Sequence, residues 1–195
     1  MRRYNTDGKI CSAPRCGAGI WIAERRSALQ DSKVDIMNHV PGSLKRRPPR
    51  LGRVYADTPL YFITFCTHGR KPLLACEAVH QAFRSAAERV NAAGNAVGSY
   101  VIMPDHIHVF LRIGTGGKMG LAVKCLREAI TKRLRHDHDQ AAMLVWQPGF
   151  FDHVMRSGES YAEKWAYVRA NPVRAGLCAH AEDWPYQGEI VAIRW

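Results

Sequence analysis

The stretch from Tyr100 to Ile113, reading Tyr-Val-Ile-Met-Pro-Asp-His-Ile-His-Val-Phe-Leu-Arg-Ile, limits the fold more than any other part of the chain. From Asp105 onward it alternates with the period of a half-buried strand, whose side chains point to opposite faces in turn. Asp105, Ile107, Val109, Leu111 and Ile113 fall on one side, and four of these five are apolar. His106, His108, Phe110 and Arg112 fall on the other. An apolar side belongs against a core, so the two imidazoles project together from the more open side. Such a pair can share a metal ion or flank a phosphate. It can equally sit in a satisfied surface network, and the strand alone leaves these readings open.

The flanking patterns place this strand in a fold. Leu60 to Thr67 is rich in aromatic and β-branched residues and predicts a buried strand, with His68 to Pro72 as a turn. Val79, Phe83, Ala86, Ala87 and Val90 recur at helical spacing, and Gly94 supplies a stop. Val97 to Met103 reads as a second strand, joined through Pro104-Asp105 to the His106 strand as a hairpin. After Gly114 to Gly117 a second helix is expected over Lys118 to Arg135, with Met119, Val123, Leu126 and Ile130 as its apolar stripe. Met143 to Trp146 reads as a strand that Phe150 to Arg156 continues or pairs with. Strand, helix, strand, strand, helix, strand is the order of the ferredoxin-like split βαβ, an α+β fold with a central antiparallel sheet. It puts the His106 strand at the sheet centre, with both helices on one face and the histidines on the helix-free face.

At 195 residues the chain can bury one good core with an appendage. No run approaches the ~20 apolar residues of a membrane span, and the first residues lack the apolar core of a secretory signal. Six cysteines (Cys11, Cys16, Cys66, Cys76, Cys125 and Cys178) show no disulfide-scaffold spacing, which suits a reducing cytoplasm. Cys11 and Cys16 have no second half of a zinc site and read as free thiols.

Charge narrows the partner. With 28 Lys plus Arg against 17 Asp plus Glu, the net charge is +11, a balance that favours a polyanion such as nucleic acid. Residues 1–46 break every apolar group with Gly, Ser, Pro or charge and read as a weakly structured basic extension, leaving 47–195 as the folded domain. Arg46, Arg47 and Arg50, broken by prolines, are either a solvated linker or an arm along a phosphate backbone. Lys124 and Arg127 share a face of the second helix and are either solvated or phosphate contacts.

Further on, Ser160 and Glu163 form a capping-box pattern for a third helix that Pro172 should end. Tyr161, Trp165 and Val168 make its apolar stripe. Tyr167 lies off that stripe with Asn171 one turn beyond, and Arg169 and Arg174 flank it. A surface tyrosine packed on a neighbour would look the same.

Three phrases carry a resemblance: Tyr-Val-Ile-Met-Pro-Asp-His-Ile-His-Val-Phe, Trp-Gln-Pro-Gly-Phe-Phe-Asp-His-Val-Met-Arg and Tyr-Val-Arg-Ala-Asn-Pro-Val-Arg-Ala-Gly-Leu. In this order the chain resembles the REP-associated tyrosine transposases, the single-tyrosine branch of the HUH nucleases. The match runs from about Arg47 to Tyr186, with Asp183-Trp184-Pro185-Tyr186 as a family-like tail, and leaves residues 1–46 outside it. By position, His106 and His108 match the HUH pair, Tyr167 the nucleophile, and Asn171 the polar residue that completes the metal site. The added C-terminal helix would carry the tyrosine. The resemblance implies a DNA strand-transfer enzyme of the cytoplasm and nucleoid that binds hairpin DNA and cleaves and rejoins adjacent single-stranded DNA. It further implies a 5′-phosphotyrosine intermediate and Mg²⁺ or Mn²⁺ as cofactor, although two imidazoles favour softer ions.

Arg46, Arg47, Arg50, Lys124, Arg127, Arg169 and Arg174 are the candidate DNA contacts. The oligomeric state stays open between monomer and homodimer. Two rival readings keep the fold: a catalytically silent hairpin-binding protein, and a metal-dependent hydrolase with a water nucleophile.

Overall fold

The structure, a computed structural model, describes residues 58–138, 144–156 and 158–194. The N-terminal extension, with Arg46, Arg47 and Arg50, lies outside the described residues. Strand β1 (Leu60–Cys66) is followed by a 3-10 turn at His68–Arg70, helix α1 (Glu77–Ala92), and strands β2 (Ala96–Ile102) and β3 (His106–Arg112). Then come α2 (Met119–His138), β4 (Phe151–Val154), α3 (Gly158–Arg169), the single turn α4 (Asn171–Arg174) and β5 (Gln187–Glu189). The sheet order is β4-β1-β3-β2-β5, antiparallel throughout. The expected α+β architecture is therefore present, with the histidine strand at the centre.

Alternation decides which face is dry. Ile107, Val109 and Leu111 of β3 are fully buried, together with Ile63 and Phe65 of β1. Helix α1 packs on this face through Phe83, whose ring centroid is 4.6 Å from that of Tyr100. The expected stripe of α1 is the observed one, since Val79, Phe83, Ala86, Ala87 and Val90 are all buried. Trp146 ties α2 to the same face. Its ring lies edge-on to Phe65 at 5.2 Å, and its indole N–H donates to the Arg127 carbonyl and to Thr131 Oγ1. Gly94, with φ +80°, ends α1, and a Cβ on Gly114 would fall 1.9 Å from the Gly94 carbonyl oxygen. Only glycine lets the two backbones approach so closely.

Three expectations need correction. The strand foreseen at 143–146 reduces, within the described residues, to one bridge between Thr67 and Trp146. Helix α3 begins at Gly158, so Ser160 lies inside its first turn instead of capping it. Helix α3 ends at Arg169, just ahead of Asn171-Pro172, as foreseen. The break falls at Ala170, and Pro172 occupies the first turn of α4, where its missing N–H costs nothing. The histidine face is not free of helices, because α3 lies over part of it: Tyr161 meets Phe110 at 4.6 Å and Trp165 meets it at 6.3 Å. The tail is also structural. Trp184 and Tyr186 are buried, Trp184 donates its indole N–H to the Ile102 carbonyl, and β5 adds an edge strand to β2.

Candidate active site

The antiparallel register carries polar groups across the histidine face. Thr64 and Cys66 of β1 pair with His108 and His106, and Val101 of β2 pairs with His108. The two imidazole rings stand at right angles with centroids 4.7 Å apart. Each has its Nδ1 engaged. His106 Nδ1 is 2.6 Å from Asp105 Oδ1, and His108 Nδ1 is 2.7 Å from Thr64 Oγ1. The Asp105 carboxylate accepts, so Nδ1 of His106 carries a proton, and in the neutral form of the ring Nε2 keeps its lone pair. Thr64 can accept from His108 in the same way, which would leave that Nε2 bare as well.

The sequence pattern placed Asp105 on the core side of the strand. In the structure β3 starts at His106, so Asp105 belongs to the hairpin turn and the alternation does not bind it. Its side chain turns back to His106. Burial pushes the Asp105 carboxyl up, but the hydrogen bond from His106 and the positive charges of His106 and Arg70 outweigh it and hold the carboxyl below its usual range. Arg70 Nη1 is 3.4 Å from Asp105 Oδ2 and donates to Cys66 Sγ at 3.2 Å. Burial pushes the Cys66 thiol up despite Arg70, which keeps it protonated.

His108 stacks on Phe62 with centroids 5.3 Å apart. Its pKa is pushed down to about 3, first by burial and then by the positive fields of His106, Arg70 and Lys164. A neutral imidazole at physiological pH is the form that binds a metal.

The tyrosine stands on α3. Tyr161 and Trp165 pack toward Phe110, and Val168 is buried, as the stripe predicted. Tyr161 Oη lies 3.0 Å from Ser99 Oγ, which marks it as a packing residue. Tyr167 is 52% exposed. The Arg174 guanidinium lies 3.9 Å above its ring and hydrogen-bonds Asn171 Oδ1, so Tyr167, Asn171 and Arg174 form one cluster. Among the described residues no hydrogen bond or ring contact joins this cluster to the histidine pair. The link is Lys164, whose Nζ is 5.4 Å from the centroid of Phe62, the ring on which His108 stacks. Lys164 and Tyr167 follow at i and i+3 on α3 and share a helix face, and Asn171 opens α4 just beyond the break at Ala170.

The candidate DNA contacts divide. Arg169 and Arg174 are exposed. Lys124 is exposed and 3.6 Å from Glu128. Arg127 donates to the Gln147 and Gly149 carbonyls and lies 5.2 Å from the Trp146 ring, so it holds a loop. Sequence reasoning missed Thr64, Arg70 and Lys164. Thr64 alone left a signal, a polar residue in an otherwise apolar strand.

Among the described residues no group of three His, Cys, Asp or Glu could hold a metal ion. The donor set nonetheless suits one. Imidazole nitrogens with the second ring nitrogen hydrogen-bonded to a carboxylate or hydroxyl are the usual setting of metal-binding histidines. Asn171 would have to supply a third donor from its amide oxygen, which here accepts from Arg174 and keeps one more lone pair. No helix of the described residues is long and apolar enough to cross a membrane.

Comparison with known proteins gives the same direction. A Haemophilus influenzae protein assigned to the REP-associated tyrosine transposases is 24% identical over 146 residues, covering 69% of this chain and 81% of the relative. The REP-associated tyrosine transposase of Escherichia coli is 24% identical over 91 residues, covering 46% of this chain and 52% of its own length. A solved REP-associated tyrosine transposase bound to a REP hairpin superimposes with a TM-score of 0.54 at 25% identity, over 69% of this chain and 79% of that one. The family model described as "Transposase IS200 like" matches residues 58–171, more than half of the sequence. The chain therefore belongs to the IS200-like transposase family and is similar to the REP-associated tyrosine transposases within it.

Proposed function

We propose that this protein binds hairpin DNA and cleaves and rejoins adjacent single-stranded DNA through a 5′-phosphotyrosine intermediate. One observation carries the reading. His106 and His108 stand 4.7 Å apart with both Nδ1 atoms engaged, on the sheet face where Lys164 of the tyrosine helix also lies.

The roles follow from the chemistry. His106, His108 and Asn171 would hold Mg²⁺ or Mn²⁺, and such an ion, when bound, polarises and orients the phosphate. Asp105 and Thr64 fix the ring orientations. Tyr167 Oη attacks phosphorus. The Oη–P bond forms as the P–O3′ bond breaks, the phenolic proton passes to water, and the departing 3′-oxygen takes a proton from water to become a hydroxyl. Phenols are weak nucleophiles until deprotonated, and the Arg174 guanidinium over the Tyr167 ring holds that ring in place. The phosphotyrosine keeps the reactivity of the diester, so another 3′-hydroxyl can reverse the step without ATP. The likeness to a hairpin-bound transposase supports hairpin DNA as the partner, as does the +11 charge.

Tyr167→Phe removes one oxygen from an exposed ring and should leave the fold and hairpin affinity intact. On a denaturing gel with hairpin-bearing single-stranded DNA and Mn²⁺, the covalent adduct and the cleavage product should disappear together. Cleavage without adduct by the unmodified protein would replace the phosphotyrosine reading with a hydrolase.

A further inference from the structure

Strand β4 lies outside the residues assigned roles above, yet its register continues the site. Phe151 pairs with Thr64 of β1, and Thr64 pairs with His108, so the three form one row across the sheet. Alternation puts Phe151 and His153 on the face that carries the imidazoles, since His153 pairs with Phe62. At two inter-strand spacings, the Phe151 backbone lies roughly 10 Å from that of His108.

Phe151 is 47% exposed, whereas Phe62, Phe65, Phe83 and Phe110 are all buried. A single exposed aromatic is unremarkable on a protein surface. Here it sits on an edge strand beside the candidate site, two residues from His153, which two cations approach. Lys164 lies over Phe62, the cross-strand neighbour of His153. His153 is pushed down by partial burial and then by the positive charges of Lys164 and Arg156, which places both cations near it. An exposed ring with flanking cations is the arrangement by which proteins hold unpaired nucleotides, the base stacking on the ring and the phosphates meeting the charges.

We infer that Phe151 is a stacking platform for an unpaired DNA base next to the scissile phosphate, with Lys164 and Arg156 receiving the backbone on either side. The inference rests on the proposed function only in taking the histidine face as the site of the scissile phosphate. The platform engages single-stranded DNA and not the hairpin stem, whose bases are stacked already. It therefore contributes to the choice of the strand position that is cut.

The test uses the full chain without metal and hairpin oligonucleotides carrying 2-aminopurine at each unpaired flanking position in turn. One position should be strongly quenched on binding. In Phe151→Ala that quench should vanish and affinity for the flanked hairpin should fall about 5- to 150-fold, the range that corresponds to loss of one base–aromatic stack. Affinity for a hairpin without flanks should not change, and Phe151→Trp should restore both signals. Equal loss on flanked and unflanked hairpins, or no loss on either, overturns the inference. So does a concentration-dependent dimer abolished by Phe151→Ala, which would make the exposed ring an interface between copies. Absence of a covalent adduct with unmodified protein, alongside a Phe151-dependent quench, overturns the phosphotyrosine reading and leaves the platform standing.

Discussion

Ile107, Val109 and Leu111 on one face of β3 are fully buried toward α1 and α2, whereas His106 and His108 on the other keep contact with solvent. The strand is the same and the rules differ. On the dry face the neighbours are apolar and any side chain of similar volume would serve. On the wet face the groups of the site have specified partners: Asp105 for His106, Thr64 for His108, Arg70 for Asp105. One face therefore fixes stability and the other fixes chemistry, and substitutions should separate the two.

The largest separation should come from the histidines. His106→Ala and His108→Ala should each lower Mn²⁺-dependent cleavage by at least ~10³-fold, on the order of 4 kcal/mol of barrier. Hairpin affinity should stay within a few-fold, because the role proposed for the pair is at the reacting phosphate and not at the stem. Undiminished metal-dependent cleavage by the double variant would rule out the metal assignment.

Next comes the opposite face. Leu111→Ala should destabilise the fold by about 2–5 kcal/mol, as buried leucines do when a cavity is left behind. Urea unfolding would read that loss, while cleavage per folded molecule should not change. A specific loss of cleavage at full occupancy of the folded state would mean that the two faces are coupled.

A smaller effect is expected at the residues that orient the imidazoles. Thr64→Val and Asp105→Asn should each weaken apparent Mn²⁺ affinity about 10- to 100-fold, the usual cost of losing a hydrogen bond behind a metal-bound histidine. Raising the metal concentration should recover most of the rate. Failure to recover at saturating Mn²⁺ would assign these residues to the phosphate and not to the rings.

The smallest effect concerns pH. His108 has its pKa depressed to about 3, so between that value and the ordinary 6.5 the unfolded chain binds a proton the folded one refuses. Its share of stability is present above pH 6.5 and is lost as pH falls through that window. His80 and His153 are depressed too and act in the same direction. Asp105, held below its usual range, adds to the loss only when the acid reaches carboxylate pKa values. His108→Gln should therefore make the fall in Tm between pH 6.5 and 4 shallower without removing it. An unchanged slope would show that His108 protonates freely in the folded state.

Periodicity alone placed β1, α1, β2, β3 and α2, because each of these has one face that must be dry and a fixed repeat with which to show it. The stripe of α3 was legible for the same reason, and so was the displacement of Tyr167 from it. Asp105 was misplaced because alternation holds only inside a strand, and the hairpin turn resets it. Gly158 as the start of α3 was missed because a local capping pattern competes with the packing of the whole helix. The tail around Trp184 carried no repeat, so only its burial against β2 revealed a fifth strand.

The sequence by itself determined the fold class and the central position of the histidine strand, and it supplied the side chains proposed for the chemistry. Those follow from local patterns and side-chain types. Tertiary structure alone decided which groups meet: Thr64 with His108, Arg70 with Asp105, Lys164 with Phe62, and Phe151 in line with His108. Each of these pairings depends on strand register or on where a helix lands. Both are set by the summed burial of many distant residues, and no stretch of the sequence carries that sum.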